Sequence, residues 1–165
     1  MNRNLIFVLF LIIGLVLQVT FFSLSTPWGV RPDLVLVIII VISILEGPKT
    51  GLLIGILGGM LQDIFLGEII SINVIIKAPM AFLLGFLEEH LYKDNYFLAP
   101  VITFFASILH YLLIIILSEE LIFNIDYWAS FKTVILPSSL YNAFLGAVLY
   151  FVFYKLFNYG GNYGR

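Results

Sequence analysis

The sequence predicts an all-α integral membrane protein, a six-helix transmembrane bundle forming a single domain over 1–165. Three observations lead there. Apolar side chains make up 62% of the 165 residues and charged ones 11%, whereas a soluble domain carries roughly 25% charged residues. A soluble protein this small has to cover most of its surface with polar groups, and this chain lacks them. The apolar residues also fall into six runs separated by short polar breaks, each run long or well flanked enough to be tested as a span. The net charge of −2, with no basic cluster, argues against nucleic-acid binding. The absence of cysteine excludes disulfides, thiol redox motifs and zinc knuckles.

The first span is read at 5–24, interrupted only by the uncharged polar residues Gln18, Thr20 and Ser23. Met1-Asn-Arg-Asn before it looks like the n-region of a signal peptide. The apolar run is longer than a signal h-region and no Ala-x-Ala site follows, so an uncleaved span is expected. The second run, 34–45, is bounded by Asp33 and Glu46, and the third, 51–66, meets Gln62 and Asp63 near its end. Gly47-Pro48 between them is a breaker that ends one helix and starts the next. Both runs are short. Two thin spans are expected, with Arg31 and Lys49 snorkelling and the bilayer thinning locally; a re-entrant hairpin is the alternative.

The fourth span is read at 69–87 and carries Asn73, Lys77 and Pro79. A polar connection from Glu88 to Asn95, which includes His90, leads to the fifth span at 96–117, with Pro100, Ser107 and His110. After a second polar loop over 118–126 comes the sixth span at 131–157. Its run already begins near Trp128, and its first turns, around Lys132 and Pro137, are expected at the interface. No internal repeat is present.

Orientation follows the distribution of Lys and Arg. With the N-terminus inside, Arg3, Lys49, Lys93, Lys155 and Arg165 are cytoplasmic, whereas Arg31 and Lys132 face outward. Both termini are therefore expected in the cytoplasm and the number of crossings is even. Trp28, Tyr127 and Trp128 suit the outer interface, and Tyr92, Tyr96, Tyr154 and Tyr159 the inner one.

Ionisable residues inside a span are functional candidates by default, and Asp63, Lys77 and His110 are the ones here. Asp63 lies near the end of its helix and Lys77 about six residues into the next, a depth difference of roughly 6 Å in an antiparallel hairpin. An Asp63–Lys77 ion pair beside Asn73 is the hypothesis; separate snorkelling of the two is the alternative. His110 and Ser107 share a helix face and read as hydrogen-bonded packing residues. No Gly-x-Ser-x-Gly elbow or metal-ligand cluster is found, so no catalytic residue, metal or cofactor is expected.

Packing gives the clearer signal. Gly47, Gly51, Gly55 and Gly59 recur every four residues, with Asp63 continuing the series. Small residues at this spacing let helices approach closely in lipid, where hydrophobic burial gives no drive for association. The stripe is read as packing against a neighbouring span, with a partner's helix as the alternative. A weaker series, Asn73–Lys77–Ala81–Gly85, runs along the fourth span. Two functional classes fit: a scaffold subunit acting by helix–helix contact, or a substrate-capturing transporter subunit with a cavity lined by Gln18, Asn73, His110 and Asn142.

A resemblance narrows the choice. Arg31-Pro-Asp-Leu-Val-Leu-Val, Leu45-Glu-Gly-Pro-Lys-Thr-Gly-Leu-Leu-Ile-Gly and Gly58-Gly-Met-Leu-Gln-Asp-Ile-Phe together resemble the bacterial rod shape-determining protein MreD family. Pro32, Asp33, Gly47, Pro48, Gly51, Gly55, Asp63 and Asn73 stand at its motif positions. Glu68-Ile-Ile-Ser-Ile-Asn departs from it, lacking the usual glycine two residues before Asn73. The resemblance implies a non-catalytic membrane scaffold subunit of the cell-elongation (rod) complex, in the cytoplasmic membrane. It also implies work beside MreC, with links to MreB filaments, RodA and a class B penicillin-binding protein, and a homodimer is open. The family fold is similar to the substrate-capture subunits of energy-coupling-factor transporters. A vitamin-type transporter subunit is therefore the alternative, although the first span lacks their Ala-x-x-x-Ala docking series. Candidate partner-interface or helix-packing residues are Pro32, Asp33, Glu46, Gly47, Pro48, Gly51, Gly55, Gly59, Asp63, Asn73 and Lys77. Pro32-Asp33 is expected to start the second span with Pro32 at the first helical position.

Overall fold

The structure is a computed structural model that describes residues 3–24, 30–66, 71–89, 97–118 and 127–157. His90, the interfacial aromatics Trp28, Tyr92, Tyr96 and Tyr159, and the charges Lys93 and Arg165 lie outside the described residues, whereas Ser71, which stands where the motif would carry a glycine, lies within them. All regular structure among the described residues is helical. It runs α1 (Arg3–Leu24), α2 (Leu34–Glu46), α3 (Pro48–Leu66), α4 (Ile72–Gly85), α5 (Leu98–Ser118), α6 (Tyr127–Ser130) and α7 (Leu136–Leu156). A 3-10 turn over Phe86–Glu89 follows α4, and a π-helical turn over Phe131–Ile135 joins α6 to α7. With that last stretch counted as one, six helices make the bundle. Three of them are long and apolar enough to cross a membrane: Arg3–Thr20, Leu98–Leu117 and Trp128–Leu156.

The centre of the bundle is α2. Every residue from Leu34 to Leu45 is buried, and α1, α3, α4, α5 and α7 all pack against it. A helix that is hydrophobic all round belongs in an interior. Eight of its thirteen residues are Val or Ile, which lowers helix propensity by restricting χ1. In an apolar surround that handicap is outweighed, because only a helix satisfies the backbone within one segment. Thirteen residues rise about 20 Å at 1.5 Å each, short for a crossing. Protein, rather than thinned lipid, covers this segment on every side.

Each end of α2 is closed by a named residue. Asp33 is the N-cap, its Oδ1 accepting from Leu36 N at 2.9 Å, and Pro32 lies before the cap. The expectation that Pro32 occupies the first helical position is thereby corrected. A carboxylate that reaches the third residue's N–H makes the better cap and pushes proline outward by two. At the other end Gly47 adopts φ 86°, a conformation that favours glycine. Its N–H donates to Ser43 O at 3.0 Å, and Pro48 then opens α3, where a missing N–H costs nothing. Beside this turn Glu46 is 3.3 Å from the Arg3 guanidinium of α1.

The closest helix pair is α3 with α4. A Cβ placed on Gly51 would lie 2.7 Å from Ala81 O, one on Gly55 2.9 Å from Ala78 Cα, and one on Gly59 2.7 Å from Val74 Cα. These are backbone contacts that no side chain can relieve. Gly85 of α4 meets the backbone of Pro48 in the same way. The glycine series of α3 and the Asn73–Lys77–Ala81–Gly85 face of α4 thus lie against each other within one chain.

The π turn has a local cause. Pro137 cannot donate to the carbonyl four residues back, and its ring clashes there. Widening the preceding turn removes the clash, and Leu136 N–H bonds Phe131 O, five residues back. Before it, Lys132 Nζ lies 4.6 Å over the Trp128 ring.

Candidate functional site: a buried polar cluster

Near the Asp33 end of the bundle, polar groups from α3, α4, α5 and α7 converge on the residue that heads α2. Its second carboxylate oxygen, Asp33 Oδ2, is 2.7 Å from Lys77 Nζ of α4, and its first also accepts from Gln62 Nε2 of α3 at 3.0 Å. Lys77 Nζ donates in turn to Gln62 Oε1, which closes a triangle of carboxylate, ammonium and amide. His110 Nε2 of α5 is 3.4 Å from Asp33 Oδ2. From α7, Asn142 Oδ1 accepts Asp33 N–H at 2.9 Å and its Nδ2 donates to Ser107 Oγ of α5 at 3.1 Å. Gln18 of α1 adds a longer link, Val35 N to Oε1 at 3.3 Å.

The cluster is buried and tightly packed. Lys77, His110 and Asn142 are 0% exposed and Asp33 is 7% exposed. Isolated charges in such surroundings are prohibitively costly, so each needs an opposite charge and hydrogen bonds on its remaining lone pairs or protons. Asp33 meets that demand with Lys77, Gln62 and the Leu36 amide. Four of the six helices supply side chains that touch it directly or through its own N–H: α3, α4, α5 and α7.

The expected Asp63–Lys77 pair is replaced. Lys77 is held by Asp33, whereas Asp63 spans the head of α4. Asp63 Oδ1 accepts Asn73 N at 3.1 Å and Asn73 Nδ2 at 2.9 Å, and Oδ2 accepts Val74 N at 3.2 Å. Asp63 therefore caps α4 from the end of α3. The physical reason is that α2 runs down the middle. Its N-terminal carboxylate stands within reach of Lys77, and the free N–H groups at the start of α4 take the neighbouring carboxylate. Snorkelling of Lys77 is likewise overturned by its complete burial.

A family model for the rod shape-determining protein MreD matches residues 1–160. The chain belongs to the MreD family. No curated protein and no solved structure matches it. With that membership, the placement of the MreD motif residues takes on meaning. Pro32 and Asp33 are buried, and Asp33 organises the cluster. Glu46, Gly47 and Pro48 form the turn at the opposite end, Gly51, Gly55 and Gly59 lie against α4, and Asp63 and Asn73 tie α3 to α4. The motif is thus assembled around α2, α3 and α4 and faces inward.

The polar set expected to line a substrate cavity does not do so. Gln18, His110 and Asn142 point into the Asp33 cluster and Asn73 into the α4 cap. The cavity described, about 560 Å³ between α4 and α5, is apolar and lined by residues such as Ile75, Pro79, Leu83, Val101, Phe105 and Leu109. Sequence reasoning missed Asp33 as the partner of Lys77 and gave no role to Gln62. The available signal was that Gln62, like Lys77, is a polar residue inside an apolar run. Such a residue must find a partner across the bundle.

Proposed function

We propose that this chain is a non-catalytic multi-pass scaffold subunit of the cell-elongation machinery. In this reading it sits in the cytoplasmic membrane with both termini inside, holds MreC by helix contact, and through it serves MreB, RodA and a class B penicillin-binding protein. Family membership carries the reading. The polar groups around Asp33 and Asp63 support it, since Lys77, Gln62, Asn142 and Asn73 are spent on these carboxylates and on helix caps, where they set helix register. The excess of Lys and Arg on one side supports the orientation. Because α4 fills the glycine face of α3, contact with a partner helix falls to the outward apolar sides of the bundle.

The test is complementation in a rod-shaped bacterium lacking its own family member, with affinity capture of the tagged chain from detergent extracts. Rod shape and stoichiometric recovery of a single-span partner are expected. Round cells despite normal membrane levels, or capture of a small molecule with no partner protein, would refute the scaffold role. Reporter fusions at each end give the orientation, with cytoplasmic signals expected at both.

A further inference from the structure

The pairing of α5 with α7 sets two unsatisfied polar groups at one level. Gly146 packs on Thr103, Asn142 bonds Ser107, and Ser138 bonds Tyr111. Each step moves four residues forward in α5 and four back in α7, the register of an antiparallel pair. His110, one residue before Tyr111, therefore stands opposite Ser139, one residue after Ser138. Both side chains are 0% exposed. His110 Nδ1 and Ser139 Oγ have no hydrogen-bond partner among the described residues, and neither does His110 Nε2, whose nearest charged group is Asp33 Oδ2 at 3.4 Å.

Leaving a buried donor or acceptor unpaired costs about 1–3 kcal/mol, and native interiors rarely tolerate it. The two atoms share one layer of the bundle without bonding each other. What the layer calls for is a small group that both donates and accepts. An imidazole nitrogen accepts or donates according to its protonation, and a hydroxyl does both. Water meets either case, and proteins hold on the order of one buried water per 27 residues at such points.

We propose that one internal water bridges His110 Nδ1 and Ser139 Oγ. His110 then spans the layer, with Nε2 toward Asp33 and Nδ1 toward the water, and the polar cluster extends from α2 through α5 to a second point on α7. The bridge rests on helix register and burial and is independent of the scaffold reading.

The experiment is magic-angle-spinning NMR on His90→Gln protein carrying 15N-histidine in lipid bilayers, which leaves His110 as the labelled ring. Magnetisation transfer from water to His110 Nδ1 is expected, with its loss in Ser139→Ala. A ring nitrogen without water contact overturns the bridge even if Ser139→Ala fails to fold. Transfer undiminished in a folded Ser139→Ala overturns it too, as does a high-resolution map with Ser139 Oγ bonded to the Ile135 carbonyl and no density beside His110.

Discussion

At the scale of single residues, Lys77 shows how burial changes the worth of a charge. In a sealed interior the pair with Asp33 adds little net stability over apolar residues, yet removing one partner strands the other. Lys77→Met is expected to cost on the order of 3–5 kcal/mol, read as a fall in melting temperature in detergent. Asp33→Asn in that background should recover much of the loss, because asparagine keeps the helix cap and removes the stranded charge. Strict additivity of the two would contradict the pairing. Asp63 behaves differently. Asp63→Ala should cost about 0.5–2 kcal/mol as a lost cap, and its coupling to Lys77→Met should be smaller than that of Asp33→Asn. A double-mutant cycle for each pair, run under one detergent condition, measures the difference.

At the scale of elements, the α3–α4 seam is a backbone contact and α2 is a buried rod. Gly55→Leu or Gly59→Leu has to push α3 and α4 away from each other, since the added atoms meet Ala78 Cα and Val74 Cα. Overpacking of this kind costs typically about 1–3 kcal/mol and sometimes more. Both variants should melt lower than the parent and accumulate poorly in membranes. Gly58→Ala is the control. Its Cβ meets Ile39 Cδ1 at 2.7 Å, the tip of a side chain that can turn aside, so a smaller loss is expected. Equal losses at Gly58 and Gly55 would argue that α3 is rigidly clamped on both faces. The stripe itself was legible as spacing, because i to i+4 repeats share a face. The identity of the helix opposite it was open, since small residues permit close approach without naming a partner.

At the scale of the whole molecule, the Asp33 cluster gathers α1, α2, α3, α4, α5 and α7 at one level while the outward surface remains apolar. In the scaffold reading, loss of the cluster acts on cell shape through folding. Lys77→Met should therefore give rounded cells in complementation together with lower membrane abundance, and the double variant with Asp33→Asn should restore some of both. Rounded cells at full abundance and unchanged melting temperature would instead place Lys77 in a partner contact. The all-helical class and the six helices were readable from composition and run lengths, because lipid leaves the backbone few choices. Which runs are surrounded by protein was not. The apolar run 34–45 has the composition of a lipid-facing span as much as of a central rod, and hydropathy does not distinguish the two.

Local chemistry written along the chain settled the helical runs, the Gly47-Pro48 break, the spacing of the glycines and the scarcity of ionisable groups. Each depends only on neighbours within a few residues. Three-dimensional packing alone decided that α2 runs through the middle, that Asp33 takes Lys77 while Asp63 caps α4, and that Asn142 of α7 meets Ser107 of α5. The bonds Asp33–Asn142, Asp33–Lys77 and Asp63–Asn73 join residues 109, 44 and 10 positions apart. A buried charge accepts whichever partner the fold brings within bonding distance, so the sequence names the groups in need and the packing selects which ones meet.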